Sequence, residues 1–203
     1  MKKFLLFLLI ACMLSSCIGC SSPSRIGRGS WEDQLYYNEY GEFYLRSNSL
    51  FERYTDNKIK KNLGYVYSKN GNVLNDAVIS SDYCAIVITM EDPGEEYSIK
   101  DYVSAFVLNS RQNNTPGTYS IGESYSQSIA NKNYTCVPIF YYTSASGGTI
   151  GYCEYSYIRK GNDGIFVIIR ITATSQVNIE IALKMFESAG DDSNKPSLSA
   201  AEE

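Results

Sequence analysis

The sequence predicts an α+β fold: an α/β/α sandwich with a mostly antiparallel sheet flanked by helices. Three observations carry this. Segments 82–90 and 164–174 are apolar on both alternating faces, as strands covered on both sides must be. Segments 96–112 and 175–190 place apolar residues at helical spacing. The remaining strand-like segments follow one another through turn-rich connections, which suits an antiparallel sheet better than parallel crossovers.

The chain opens with Lys2 and Lys3, then an apolar run of eleven residues, Phe4–Leu14. A membrane-spanning helix needs about 20, so this run suits the core of a signal peptide, residues 1–16. Leu14-Ser15-Ser16-Cys17 follows. It resembles the bacterial lipobox, which implies cleavage before Cys17, diacylglycerol on its sulfur and acylation of the new N-terminus. Cys20 is a poorer second position, because a cysteine stands where leucine is expected. A soluble secreted protein cut by the ordinary peptidase is the alternative. A redox pair of Cys17 and Cys20 is disfavoured, since it needs a helix start within a βαβ unit. Several acyl chains on one cysteine anchor durably where one does not. The expected location is therefore the extracytoplasmic side of a bacterial cell membrane. Residues 17–30 form the lipidated tether, in which Arg25 and Arg28 face anionic head groups at most weakly.

The folded domain spans 31–190. Residues 31–40 suit a helical turn or two. Strands are expected at 41–47 and 63–69, with an Asn-Gly turn at 70–71. Strand 82–90 places Cys84, Ile86, Ile88 and Met90 on one face. Helix 96–112 presents Ile99, Tyr102, Val103, Phe106 and Val107, capped by Ser98 with Asp101 three residues later. Segment 118–130 is polar and edge-like. Segments 134–143 and 149–160 flank Ser-Ala-Ser-Gly-Gly as a hairpin, and Pro138 argues for a bulge or a border position. Strand 164–174 is the most apolar. Helix 175–190 is capped by Ser175, buries Ile179, Ala182, Leu183 and Phe186, and stops at Gly190. Residues 191–203 are polar and expected to be disordered.

Composition restricts function. Without residues 1–16 the chain carries 16 basic and 22 acidic side chains, with no basic run, which argues against nucleic acid as a partner. It has no histidine. That removes Ser-His-Asp and Cys-His catalysis and histidine-held metals. No glycine-rich phosphate loop is present. No cofactor or metal is expected. Glu91, Asp92, Glu95 and Glu96 cluster at a loop, but without the ordered spacing of a calcium loop, and a solvated turn before a helix explains them better. Cys84, Cys136 and Cys153 lie in strand-like segments and read as buried small hydrophobes. A hairpin about Ser146 sets Cys136 opposite a residue near Tyr157, not Cys153. Tyr152, Glu154, Ser156 and Ile158 share one face of 149–160, and Cys153, Tyr155, Tyr157 and Arg159 the other. The candidate binding surface is whichever face lies exposed near the sheet border, with Tyr152 or with Tyr155 and Tyr157 as aromatic rings among polar neighbours, for a protein partner or a sugar chain. The competing explanation packs these tyrosines under a helix.

The order of elements resembles the PsbP-like family, which includes the Ran nucleotide-release factor and several bacterial lipoproteins. The resemblance rests on Gly41, Phe43 and Leu45, then "AIVITMED", "SIKDYVSAFV", "YSYIRK", "GIFVIIRITAT" and "MFES", over about residues 40–188. It implies the same α/β/α sandwich and carries over no site residue. A cystatin-like or NTF2-like arrangement is the structural alternative. The expected function is a non-catalytic, membrane-anchored module that binds another envelope protein; binding of a small molecule or glycan is the alternative.

Overall fold

A computed structural model describes residues 26–94, 97–143 and 149–189. The fold is α+β, with two sheets whose strand pairings are all antiparallel and, among the described residues, three helices.

The N-terminal strands β1 (Ser30–Glu32), β2 (Leu35–Asn38) and β3 (Phe43–Arg46) make the smaller sheet, closed by a distant last strand, β12 (Phe186–Ser188), in the order β1-β2-β3-β12. Segment 31–40 is thus a hairpin, not helical turns. Trp31 and Leu35 sit at helical spacing, but the chain reverses at Asp33, whose φ of 50° is left-handed. Tyr36 is then free to enter the core.

After β4 (Glu52–Arg53) comes α1 (Asp56–Leu63), capped by Thr55 and ended by Gly64 at φ 88°. Lys58, Lys60 and Lys61 lie on this helix. Of the strand expected at 63–69, only Tyr67 bridges to Leu74, with Val66 and Ser68 bonded to the same neighbouring strand.

The larger sheet uses β5 (Val73–Ser80), β6 (Cys84–Glu91), β7 (Tyr119–Ile121), β8 (Tyr125–Ile129), β9 (Lys132–Tyr142), β10 (Ile150–Lys160) and β11 (Phe166–Ala173). Its order is β4-β5-β6-β11-β10-β9-β7, with β8 also on β9. The two most apolar strands, β6 and β11, are central. Pro138 falls between the stretches of β9 that β7 and β8 cover, where its missing N–H costs no ladder bond.

Each face of this sheet is covered differently. On one, helix α2 (Ile99–Asn113) buries Tyr102 and Val103 against Val137, Ile158, Phe166 and Ile168. Ser98 caps α2, accepting from the Asp101 amide at 3.1 Å. On the other face the smaller sheet and helix α3 (Gln176–Leu183) share a single core with Ile86, Ile88, Met90, Ile169 and Ile171. The second layer is therefore part sheet, part helix. Helix α3 ends at Leu183, short of the expected Gly190. Phe186 does not complete a helical stripe; it pairs with Leu45 in β12 and meets Phe43 edge-on at 5.2 Å. Tertiary packing overrides helix propensity there.

The folded domain starts before the expected residue 31. Ile26 is buried in the core. Arg28 is engaged within the domain: its Nε donates to Asp76 at 3.1 Å and its Nη1 to Asp56 at 2.8 Å. Asp76 is the extra residue of a β5 bulge, between the Asn75–Thr89 and Ala77–Ile88 pairs. Residues 1–25, with Cys17 and Cys20, lie outside the described residues, as do Glu95, Glu96, the 144–148 connection and 190–203.

Candidate functional site: a polar groove between helix α2 and the sheet

A groove of about 270 Å³ opens between α2 and the sheet face beneath it. Strands β5, β6 and β11 form its floor, α2 one wall, and the exit of α1 at Leu63 and Tyr65 the other. Phe106, Val73 and Ile168 give it apolar surface; Glu91, Tyr102 and Arg170 give it polarity. Few polar groups on an apolar surface is the usual make-up of a ligand site.

Two of these polar groups are fixed in place. Tyr102 stacks on Phe166 at 3.9 Å, with rings 12° apart. Its hydroxyl donates to Glu91 Oε2 at 2.5 Å. Burial, reinforced by the Glu91 charge, pushes the phenol far up, so Tyr102 stays a hydrogen-bond donor. Asn75 is also spent: its amide donates to the Tyr65 carbonyl at 3.1 Å and accepts from Thr89 at 3.0 Å.

Arg170 is different. It is the only charge in an otherwise apolar strand. Among the described residues its ionic partner is Glu154, whose Oε1 lies 3.4 Å from Nε. The angle makes no hydrogen bond, and this buried Nε is unsatisfied. The side chain is 38% exposed, so part of the guanidinium reaches solvent along the groove. A guanidinium has five N–H donors; with Nε turned to Glu154, the four on Nη1 and Nη2 carry no hydrogen bond among the described residues and are left for an outside acceptor.

Beyond Arg170, Tyr141 and Tyr152 stack at 4.4 Å, 16° apart. Burial pushes Tyr141 up to about 12; Glu154 acts in the same sense and Arg170 against it, which places the ring within reach of both charges. Tyr152 is 43% exposed. The groove and this pair of rings lie on one continuous face.

Of the two tyrosine-bearing faces of β10, only that of Tyr152 is exposed. Side chains alternate along β10, so Tyr152 points to the α2 side and Tyr155 and Tyr157 to the other. There the smaller sheet and α3 bury Tyr155 to 5% and Tyr157 to 1% exposure. Tyr152 alone of the three remains a surface residue, on the same face as Tyr141, Tyr102, Glu91 and Arg170. The sequence carries one signal for this site: an arginine in the middle of "GIFVIIRITAT".

A second cavity, about 440 Å³, lies by Tyr40, Glu42, Arg159 and the β10–β11 turn. Its arginine is already engaged with the β2–β3 turn. Arg159 donates to the Gly41 carbonyl at 2.9 Å and to Glu42 at 2.8 Å, and Lys132 reaches the same Glu42 oxygen. This cluster ties the smaller sheet to β9 and β10.

Cys136 stands opposite Tyr157, as the hairpin register requires. Cys84 and Cys153 both pair with Ala173 from opposite sides, two strand spacings apart, roughly 10 Å. That exceeds the about 7 Å limit for a disulfide. All three are free and buried. Burial pushes Cys84 and Cys136 up to about 11, far from a reactive thiolate. Among the described residues no group of three or more Cys, Asp or Glu is placed to hold a metal.

No protein-family model and no curated protein matches the chain. Among solved structures it is similar to the solution structure of cyanobacterial PsbP (CyanoP) from Synechocystis sp. PCC 6803. That match has 8% identity and a TM-score of 0.47, and it covers 85% of this chain and 99% of that one. The neighbour is of the family that the order of elements in the sequence resembles, and no residue role is taken from it.

Proposed function

We propose that this chain is a lipid-anchored, extracytoplasmic binding module that performs no chemistry and recognises its partner with the α2 side of the larger sheet. One observation carries the choice of face: Arg170, a charge set in an apolar strand with one loosely aligned ionic partner, lines a groove beside an exposed tyrosine pair. The anchor is supported by Leu14-Ser15-Ser16-Cys17 behind a basic and apolar leader. The non-catalytic reading is supported by the absence of histidine from the sequence and by thiols held protonated in the core. Another envelope protein is the partner that a short surface tether brings within reach. A small polar ligand is the second reading, favoured by the groove itself.

Two measurements test this. Intact mass of the membrane fraction is expected to show a chain starting at Cys17 with diacyl lipid; a lipid-free chain starting beyond residue 22 removes the anchor. A photo-crosslinking residue at Tyr152 is expected to capture a specific partner in intact cells, and one at Val177, exposed on α3 across the sheet, is not. Equal capture from both positions removes the choice of face.

A further inference from the structure

Resting on that recognition face, we propose that the groove beneath α2 takes one neutral sugar unit of a glycan, with Arg170 donating to its hydroxyls and Glu91 accepting from them. Charge selects the class. The groove and its border hold one guanidinium, Arg170, and two carboxylates, Glu91 and Glu154. A dianion meets two like charges, and a cation meets Arg170. A purely apolar ligand leaves the Arg170 donors and Glu91 Oε1 buried without partners, which is costly. A ring of hydroxyls both donates and accepts, so it satisfies an acceptor-only and a donor-only group at once.

Geometry agrees with the class. Arg170 pairs with Val87 and Phe166 with Glu91, so Arg170 and Glu91 stand at levels four residues apart along β6. Four residues of strand span about 13 Å between Cα atoms, and both side chains line the same groove. The floor between them is Thr89 and Ile168, and Phe106 closes the top. That apolar surface suits the C–H face of a pyranose. Liquid water occupies about 30 Å³ per molecule, so 270 Å³ holds a single ring and not a long chain. The Tyr141–Tyr152 pair beyond Arg170 offers the next flat surface, where a neighbouring sugar would stack.

The full chain, in detergent, is titrated by ligand-observed NMR with methyl glucoside, N-acetylglucosamine, chitotriose, alanine and succinate. A neutral sugar is expected to saturate, with a dissociation constant on the order of 1 mM for a monosaccharide. Chitotriose is expected to bind at least tenfold tighter and to lose that gain in Tyr152→Ala. Arg170→Met keeps the aliphatic stem, and Glu91→Gln keeps an acceptor for Tyr102; each is expected to weaken sugar binding at least tenfold while the protein stays folded, as an unchanged circular-dichroism spectrum shows. Saturation by alanine or succinate in place of the sugars overturns the class. Sugar binding unchanged in both variants overturns the site, and so does no saturation below about 50 mM. If sugars fail while crosslinking from Tyr152 still captures one protein, the recognition face stands and the glycan does not.

Discussion

Tyr36 donates its phenolic hydrogen to the carboxylate of Asp76, joining the smaller sheet to a bulge in the larger one. The hydroxyl also accepts from Asn38 Nδ2 at 2.9 Å, and Asp76 takes the Gly29 amide at 2.7 Å and Arg28 Nε at 3.1 Å. The Asp76 side chain is 1% exposed. One buried carboxylate thus collects a phenol, an amide and a guanidinium from the N-terminal segment.

Asp76→Ala strands all three donors at once. Removing one member of a buried charged cluster costs about 3–5 kcal/mol, and Tyr36→Phe, which loses a single hydrogen bond, about 1–2 kcal/mol. Urea unfolding of both singles and the double variant is expected to give a coupling of at least about 1 kcal/mol. Strict additivity would mean the two groups do not act together.

Tyr157 and Tyr152 sit on the same strand with opposite exposure. Tyr157→Ala empties core volume beside Cys136 and is expected to cost about 3–5 kcal/mol. Tyr152→Ala removes an exposed stack and is expected to cost about 1 kcal/mol or less. Denaturant midpoints measure both, and equal losses would contradict the face assignment.

Cys84, Cys136 and Cys153 are expected to resist alkylation in the native protein at pH 8 and to react fully in urea, as peptide mass mapping would record. Native-state labelling of any of the three would show that the core opens more readily than its packing implies.

Stability depends on pH at both ends. Lys132, and after it Arg159, holds Glu42 below its ordinary value; Arg28 does the same for Asp56, and Arg46 for Glu187. Depressed folded values contribute stability above the unfolded carboxylate range, about pH 4, and lose it as pH falls through the folded values. All three pairs are solvated, so each contributes little. Burial raises Tyr36, Tyr102 and Tyr157. Raised values act oppositely: that stability is whole below the unfolded tyrosine value, about pH 10, and is lost as pH rises beyond it. Chemical denaturation is expected to give a plateau from about pH 5 to 8, a modest acid fall and a steep alkaline one. A steeper loss on the acid side would reverse this ordering.

The central strands were legible because β6 and β11 are apolar on both faces and need no partner to be recognised. Helix α2 was legible from Ser98, Asp101 and its apolar stripe. Local pattern failed where a distant strand decided the outcome. Phe186 fits a helical stripe, yet Leu45 and Phe43, far off in sequence, draw it into a strand. Trp31 and Leu35 share helical spacing, but the reversal at Asp33 is visible only in the backbone. The candidate site was legible in Tyr152 alone. The alternation that sets Tyr155 and Tyr157 opposite Tyr152 was legible too, but not which face the smaller sheet and α3 cover. Arg170 was conspicuous in its strand, but its neighbours Glu91, Tyr102 and Tyr141 come from three other elements, and only the sheet order brings them together.

Ile26 and Arg28 bear on mechanics. Any pull transmitted through residues 1–25 enters the domain where Ile26 is seated in the core and Arg28 grips Asp76 on β5. The load therefore reaches the larger sheet at once, and the Ser30–Asn38 hairpin hangs behind the grip instead of being unzipped by it. A domain loaded this way would be held through its larger sheet, with the groove on the far face of that sheet undisturbed.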